Sequence, residues 1–116
     1  AAPPATQAQV ESLESFIGAF SAALEAGDVE FVWERLHPEV IAVSDEATCR
    51  AWVEAEVMGL SGYTFIEETA GPVTVQGIAD VYVATVGFDF GGQRFEDQLG
   101  QFALLAGEWR WLGQCR

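Results

Sequence analysis

The feature that most constrains the fold is a change in the spacing of apolar residues at Gly59. Before it, apolar side chains recur every three or four positions, which is typical of helices with one face on a core. After it, apolar and polar residues alternate, which is typical of strands in an antiparallel sheet. The sequence therefore predicts an α+β fold, with N-terminal helices packed on a strongly curved antiparallel sheet. The stripe of the first helix consists of Val10, Leu13, Ile17, Phe20 and Leu24.

Residues with known preferences mark the helix ends. Gly27 is typical of a helix C-terminus, and Asp28 is typical of the N-cap of a following helix. That second helix ends at His37-Pro38, because the residue before a proline avoids the α region. The apolar run Val40–Val43 predicts a short strand or an extended link. The predicted cap of the third helix is Ser44 or Asp45.

Glycine and proline divide the second half of the chain into strands. Gly71-Pro72 predicts a break between the first two strands. Gly91-Gly92 predicts a tight hairpin turn, because both positions can adopt a positive φ. The predicted strands are Tyr63–Thr69, Val73–Gln76, Ala79–Phe90, Gln93–Leu105 and Glu108–Gln114.

This turn also predicts which residues of the hairpin face each other. Alternate pairs share a face of the sheet, and one face of this hairpin is mainly apolar. We expect the apolar face to pack under the helices. Its predicted pairs are Phe88 with Phe95, Val86 with Asp97, Ala84 with Leu99, and Tyr82 with Gln101.

Asp97 is the unusual residue of that face. Desolvation among apolar neighbours raises the pKa of a carboxyl group, which suits a general acid or base. The alternative is a structural carboxylate that pairs with an arginine or a tyrosine hydroxyl, or that lies near an open rim. A one-residue bulge after the turn would instead move Asp97 to the outer face.

Length and charge limit the possible functions. The 116 residues suit one domain, which we place at residues 8–116 after a flexible arm at residues 1–7. No apolar run reaches the length of about 20 residues that spans a membrane. The chain has 18 acidic residues against five arginines and no lysine, for a net charge of −13. We therefore expect no binding to nucleic acid or to anionic membranes.

The two cysteines, Cys49 and Cys115, belong to no CxxC motif, and a single histidine cannot complete a metal site with them. The segment 1–7 lacks an initiator methionine and is similar to the start of a mature chain after removal of a signal peptide. Together these features predict a secreted or periplasmic protein with a Cys49–Cys115 disulfide, worth about 3–4 kcal/mol. The alternative is a cytosolic protein with two free thiols.

Two segments resemble the nuclear-transport-factor-2-like superfamily, in particular its polyketide-cyclase-like and ketosteroid-isomerase-like members. They are Phe20–Asp28 (FSAALEAGD) and Trp33–Val40 (WERLHPEV), which encode a helix–glycine–helix corner. The resemblance implies a cystatin-like cone with a pocket between sheet and helices. It also implies a homodimer through the outer face of the sheet. Trp109 and Trp111 would belong to such a surface if they face outward.

The catalytic residues of the isomerase members have no counterparts in this chain. Their helix-1 tyrosine aligns with Phe20, which cannot donate a hydrogen bond. Their general-base aspartate aligns near Ser44, and their neutral aspartate aligns near Leu99 or Gly100. Loss of such an oxyanion hole argues against the same reaction, because electrostatic stabilisation is usually a large catalytic contribution.

The sequence therefore favours a non-catalytic domain that binds a small apolar molecule and needs no cofactor. One alternative is a small isomerase, hydratase or cyclase that uses Asp97 with His37 or Tyr82, although a histidine at this corner more often shapes the loop. Another alternative is a structural or assembly domain whose side chains fill its own pocket. The predicted ligand-binding residues are Phe20, Trp33, Trp52, Val86, Phe95, Asp97, Leu99 and Gln101.

Overall fold

Helices precede an antiparallel sheet, as the change of spacing at Gly59 predicts, but there are four short helices and four strands where the sequence predicts three helices and five strands. The computed structural model of the chain describes residues 11–115, so the predicted arm at residues 1–7 lies outside the described residues. The helices are α1 (Leu13–Ala26), α2 (Val29–Glu34), α3 (Pro38–Ala42) and α4 (Glu46–Ala55), and a 3₁₀ turn follows at Val57–Gly59. The strands are β1 (Ser61–Val75), β2 (Ile78–Phe90), β3 (Gln93–Leu105) and β4 (Glu108–Trp111), in the order β1-β2-β3-β4.

Side-chain caps start the helices where the sequence predicts them. The Asp28 carboxylate accepts the Phe31 N–H at 3.2 Å, and the Asp45 carboxylate accepts the Thr48 N–H at 2.8 Å. Asp45, and not Ser44, is therefore the cap of α4. Gly27 ends α1 with φ 71°, a conformation that costs glycine nothing.

The prediction of a strand or extended link at Val40–Val43 is wrong, because residues 38–42 form the helix α3. Pro38 lies in its first turn, where no intrahelical N–H is needed. The His37 Nδ1 accepts the Glu39 N–H at 3.1 Å and caps the helix. A short apolar run does not distinguish a strand from a helix. Here the side-chain cap at His37 favours the helix.

β1 is one long irregular strand and not the two strands that Gly71-Pro72 predicts. The Gly71–Pro72 peptide is cis, and the strand continues through it to Val75. The pairing of β1 with β2 contains five register shifts between Ser61 and Val75. The chain then reverses at Gln76–Gly77.

The β2–β3 hairpin keeps the predicted register only near its turn. Gly91 and Gly92 have φ 62° and 78°, and the pair Phe88–Phe95 is present. Beyond it the register shifts by one residue, because Asp97 adopts φ 55° in a bulge. Aspartate tolerates that left-handed conformation better than most residues. The predicted pairs farther along the ladder are therefore wrong. Val86 faces Gln98, Ala84 faces Gly100, and Tyr82 faces Phe102.

The core lies between the helices and one face of the sheet, and Trp111 joins the two. The Trp111 ring lies 5.6 Å from the Phe20 ring and 5.6 Å from the Trp52 ring. Its indole N–H donates to the Val32 carbonyl at 2.7 Å. Trp109 is buried as well. The two tryptophans therefore face inward, and they do not form the outer dimer surface considered above.

The predicted disulfide is present and joins α4 to the segment after β4. Cys49 and Cys115 are bonded with a Cα–Cα distance of 4.8 Å across a sequence separation of 66. The Cys49 side chain is fully buried. Within residues 11–115, no helix is both long enough and apolar enough to cross a membrane.

Replacement of both cysteines, Cys49→Ser with Cys115→Ser, is expected to lower the free energy of unfolding by about 4 kcal/mol, because the bridge closes a long loop in the unfolded chain. Urea unfolding followed by tryptophan fluorescence measures the difference. The unmodified protein under a thiol reductant should match the double variant. A loss under about 1 kcal/mol would show that the bridge contributes little to folding.

Candidate functional site

A cavity of about 800 Å³ lies between the helices and the sheet. Ligand pockets typically measure about 300–1,000 Å³, so a small molecule fits. Its walls come from α1, α4, the sheet and the chain after β4. The lining residues on which the following description depends are Phe20, Trp52, Glu56, Val57, Leu60, Tyr63, Phe88, Leu99, Gly100, Gln101, Phe102, Trp111, Gly113 and Gln114.

Aromatic rings in mutual contact form much of this wall. Tyr63 meets Phe20 edge-on at 5.2 Å and stacks on Phe88 at 5.9 Å. The Phe20 ring also contacts the Trp111 ring, and the Trp111 ring contacts the Trp52 ring. Ring pairs at these distances stabilise each other and keep their orientation. The cavity therefore has a continuous aromatic wall.

Two glycines keep this wall in shape. A Cβ atom at Gly100 would lie 2.8 Å from the Phe102 Cε2 and 3.2 Å from the Tyr63 hydroxyl oxygen. A Cβ atom at Gly113 would lie 2.6 Å from the Trp52 Cη2. Real Cβ atoms do not approach neighbours so closely, and a side chain at either position would displace the rings.

The Tyr63 hydroxyl is the polar oxygen of the aromatic wall. Among residues 11–115, no group forms a hydrogen bond with it. Burial raises the pKa of Tyr63 from 10.0 to about 12. The phenol is therefore neutral at physiological pH and has a proton to donate. Neither the position of Tyr63 in the cavity nor its lack of a partner was predicted from the sequence.

The cavity opens to solvent beside β3. Leu99 lines the cavity and is 70 % exposed to solvent. The lining residues Glu56 and Gln114 are exposed too. Pairing with β4 begins only at Phe102, since Trp111 is the last residue of that strand. The opening therefore lies where the short β4 leaves β3 uncovered.

A smaller cavity of about 310 Å³ adjoins the first one on the side of α3. It adds lining residues from α3 and from the disulfide, namely Glu39, Val43, Ser44 and Cys115. The residues common to both cavities are Val40, Gln76, Ile78, Gly113 and Gln114. The shared wall makes the second cavity an extension of the first.

Half of the predicted ligand-binding residues line the cavity, and half do not. Phe20, Trp52, Leu99 and Gln101 line it. Val86 is buried in the core, and Phe95 packs on Phe88 at 5.7 Å without reaching the lining. The Trp33 ring lies under the Arg50 guanidinium, with 5.5 Å from the ring centroid to Cζ, and this contact joins α2 to α4. Asp97 is exposed at the bulge.

The three predicted catalytic candidates are not brought together at the cavity. Asp97 lies outside the lining because the bulge shifts the register. Tyr82 packs edge-on against Trp109 at 5.2 Å. His37 is buried. Its backbone N–H donates to the Trp111 carbonyl, and its side-chain Nδ1 caps α3. Desolvation lowers the pKa of His37, Glu39 opposes this effect, and Arg110 adds to it.

Tyr63 could not be located from the sequence because β1 pairs irregularly with β2. An aromatic residue at the start of a strand, two positions before Phe65, indicates a buried face. The five register shifts leave its cross-strand neighbours undetermined. Trp111 was assigned to a strand, but its place in the cavity wall depends on contacts with distant helices.

Within the described residues, no three histidine, cysteine, aspartate or glutamate side chains are grouped to hold a metal ion. Comparison with known proteins gives no match: no family model, no curated protein and no solved structure is significantly similar to the chain. The function must therefore be inferred from the residues of the chain itself.

The raised pKa of Tyr63 is directly measurable, because Tyr63 and Tyr82 are the two tyrosines of the sequence. In a Tyr82→Phe variant, the phenolate absorbance reports Tyr63 alone. We expect its midpoint near pH 12 in the folded protein. In denaturant the midpoint should fall to about 10. A native midpoint near the denatured one would show that the hydroxyl is solvated.

The same shift makes stability depend on alkaline pH. The pKa of Tyr63 is higher in the folded protein than in the unfolded chain. Its contribution to the free energy of unfolding is therefore complete below the unfolded pKa, and it is lost as the pH rises through the folded pKa. The expected loss is about 2–3 kcal/mol between the two values. Tyr63→Phe should lack this loss, which urea unfolding at a series of alkaline pH values would measure.

Proposed function

We propose that the chain is a secreted or periplasmic domain that binds a small, mainly apolar molecule in the cavity and catalyses no reaction on it. The observation that carries the proposal is an open cavity of about 800 Å³ with a continuous aromatic wall. Sites for small molecules are typically concave, mostly apolar and provided with few polar groups. Here the half-buried polar side chains of the lining are Tyr63 and Gln101. The exposed ones are Glu56, Gln76 and Gln114.

A purely structural domain would have filled this space with its own side chains. Protein interiors are close-packed, and voids larger than a water molecule are few. An open cavity of this volume leaves its aromatic lining in contact with water, which lowers the apolar area buried on folding. A ligand that occupies the space would cover that lining, which favours binding over a structural role.

Catalysis by an isomerase, hydratase or cyclase is less well supported. The predicted acid–base candidates Asp97, His37 and Tyr82 lie outside the lining. Glu56 is the one carboxylate of the lining, and it is exposed. A general acid or base must reach the proton that it transfers. The arrangement therefore supports retention of a molecule and not its conversion.

The proposal of an oxidising compartment is supported by the Cys49–Cys115 disulfide, since such bonds persist mainly in secreted and periplasmic proteins. The order of helices and strands is compatible with a nuclear-transport-factor-2-like cone, the family proposed from Phe20–Asp28 and Trp33–Val40. A pocket between helices and sheet would then be the binding site. We propose the family on this basis.

A neutral hydrophobic dye such as Nile red tests the binding function. We expect saturable binding with quenching of tryptophan fluorescence, because Trp52 and Trp111 line the cavity. Leu99→Ala should weaken binding about threefold to tenfold, because the truncation removes roughly 1 kcal/mol of apolar contact.

The matched control is Leu105→Ala, which truncates another exposed leucine of β3 that does not line the cavity. It should leave the affinity unchanged, and so should Asp97→Asn. Equal weakening by Leu99→Ala and Leu105→Ala would place the dye on the outer surface. Turnover of a bound compound that disappears in Asp97→Asn would overturn the non-catalytic assignment.

A further inference from the structure

The cavity contains no positive charge to receive an anionic ligand. Its lining holds one charged residue, Glu56, and the adjoining smaller cavity adds Glu39. No arginine or histidine of the described residues lines either space, and the sequence contains no lysine. The electrostatic potential inside the cavity is therefore neutral to negative, and the net charge of −13 makes it more negative.

The arginines of the described chain are engaged elsewhere. Arg50 pairs with Glu30 and Glu54 between α2 and α4. Arg94 pairs with Asp89 and Glu96 and also donates to the Gly62 carbonyl at 2.8 Å. Arg35 and Arg110 contact Glu34 and Glu108 respectively. None of these guanidinium groups is left to neutralise a carboxylate in the cavity, and Arg116 lies outside the described residues.

The available polar groups suit a neutral oxygen atom. The Tyr63 hydroxyl has a proton to donate and, among residues 11–115, no partner. The Gln101 side chain also lines the cavity, and no described group forms a hydrogen bond with its amide. A carbonyl or hydroxyl oxygen of a ligand can accept from Tyr63. A carboxylate would lose its hydration among aromatic rings and meet no cation in return.

We propose that the cavity selects neutral, mainly apolar molecules that carry a carbonyl or hydroxyl oxygen, and that it rejects carboxylates of the same shape. The oxygen is held by the Tyr63 hydroxyl, with Gln101 as a second polar contact. The aromatic rings of Phe20, Phe88 and Trp111 enclose the apolar part. This inference rests on the proposed binding function and adds the chemical class of the ligand.

Three naphthalene compounds of similar shape test this selectivity: naphthyl methyl ketone, naphthoate and ethylnaphthalene. The ketone and the carboxylate differ by the exchange of a methyl group for a charged oxygen. Calorimetry at neutral pH should show the ketone binding at least about tenfold more tightly than naphthoate. Tyr63→Phe should weaken the ketone about threefold to tenfold and leave ethylnaphthalene unchanged, as loss of one hydrogen bond predicts.

Tyr82→Phe is the matched control, because that hydroxyl lies outside the cavity, and it should change none of the three affinities. If naphthoate binds as tightly as the ketone, the ligand class is wrong while the binding function stands. Arg116→Gln then shows whether that arginine supplies the charge. If Tyr63→Phe lowers the affinities for the ketone and for ethylnaphthalene equally, the role of the hydroxyl is overturned. If none of the compounds binds, the binding function itself fails.

Discussion

The position of Trp111 is the constraint on which the rest of the structure depends. Its indole N–H is bonded to the Val32 carbonyl, its backbone N–H donates to the Arg35 carbonyl, and its own carbonyl accepts the His37 N–H. These bonds hold the helical half of the chain against the last strand. The same residue ends β4 opposite Phe102, so the space beyond it is left to the cavity. The disulfide then fixes the segment that follows Trp111 onto α4.

Local chemistry made a large part of the fold predictable. The caps at Asp28 and Asp45 and the Gly91-Gly92 turn depend on a few neighbouring residues. The sequence therefore located Asp28 and the turn correctly, and it narrowed the other cap to Ser44 or Asp45. The disulfide was predictable because Cys49 and Cys115 are the only cysteines. The bulge at Asp97 was not, since one left-handed residue shifts every later pair and no local signal requires it. Tyr63 was missed for the same reason, because its neighbours depend on the irregular pairing of β1.

The arrangement of charge separates the surface from the cavity. Arg50, Arg94 and Arg110 tie helices and strands together on the outside, where each meets carboxylates or backbone carbonyls. The Arg35 side chain contacts its neighbour Glu34 and the Phe31 ring. The cavity keeps aromatic rings, an exposed glutamate and four uncharged polar side chains, namely Tyr63, Gln76, Gln101 and Gln114. Interactions in such a wall are dispersion contacts and single hydrogen bonds, which distinguish ligands by shape and by charge. The proposed function, selective retention of a neutral molecule, rests on this arrangement.

The central claim is that the space beside Trp111 is a binding site, and a crystal structure with a bromonaphthyl methyl ketone tests it most directly. Bromine gives an anomalous signal that locates the ligand independently of the protein coordinates. The account predicts a peak inside the cavity, with the ketone oxygen within hydrogen-bond distance of the Tyr63 hydroxyl. A bromine peak confined to the outer face of the sheet, with the cavity closed by its own side chains, would contradict it.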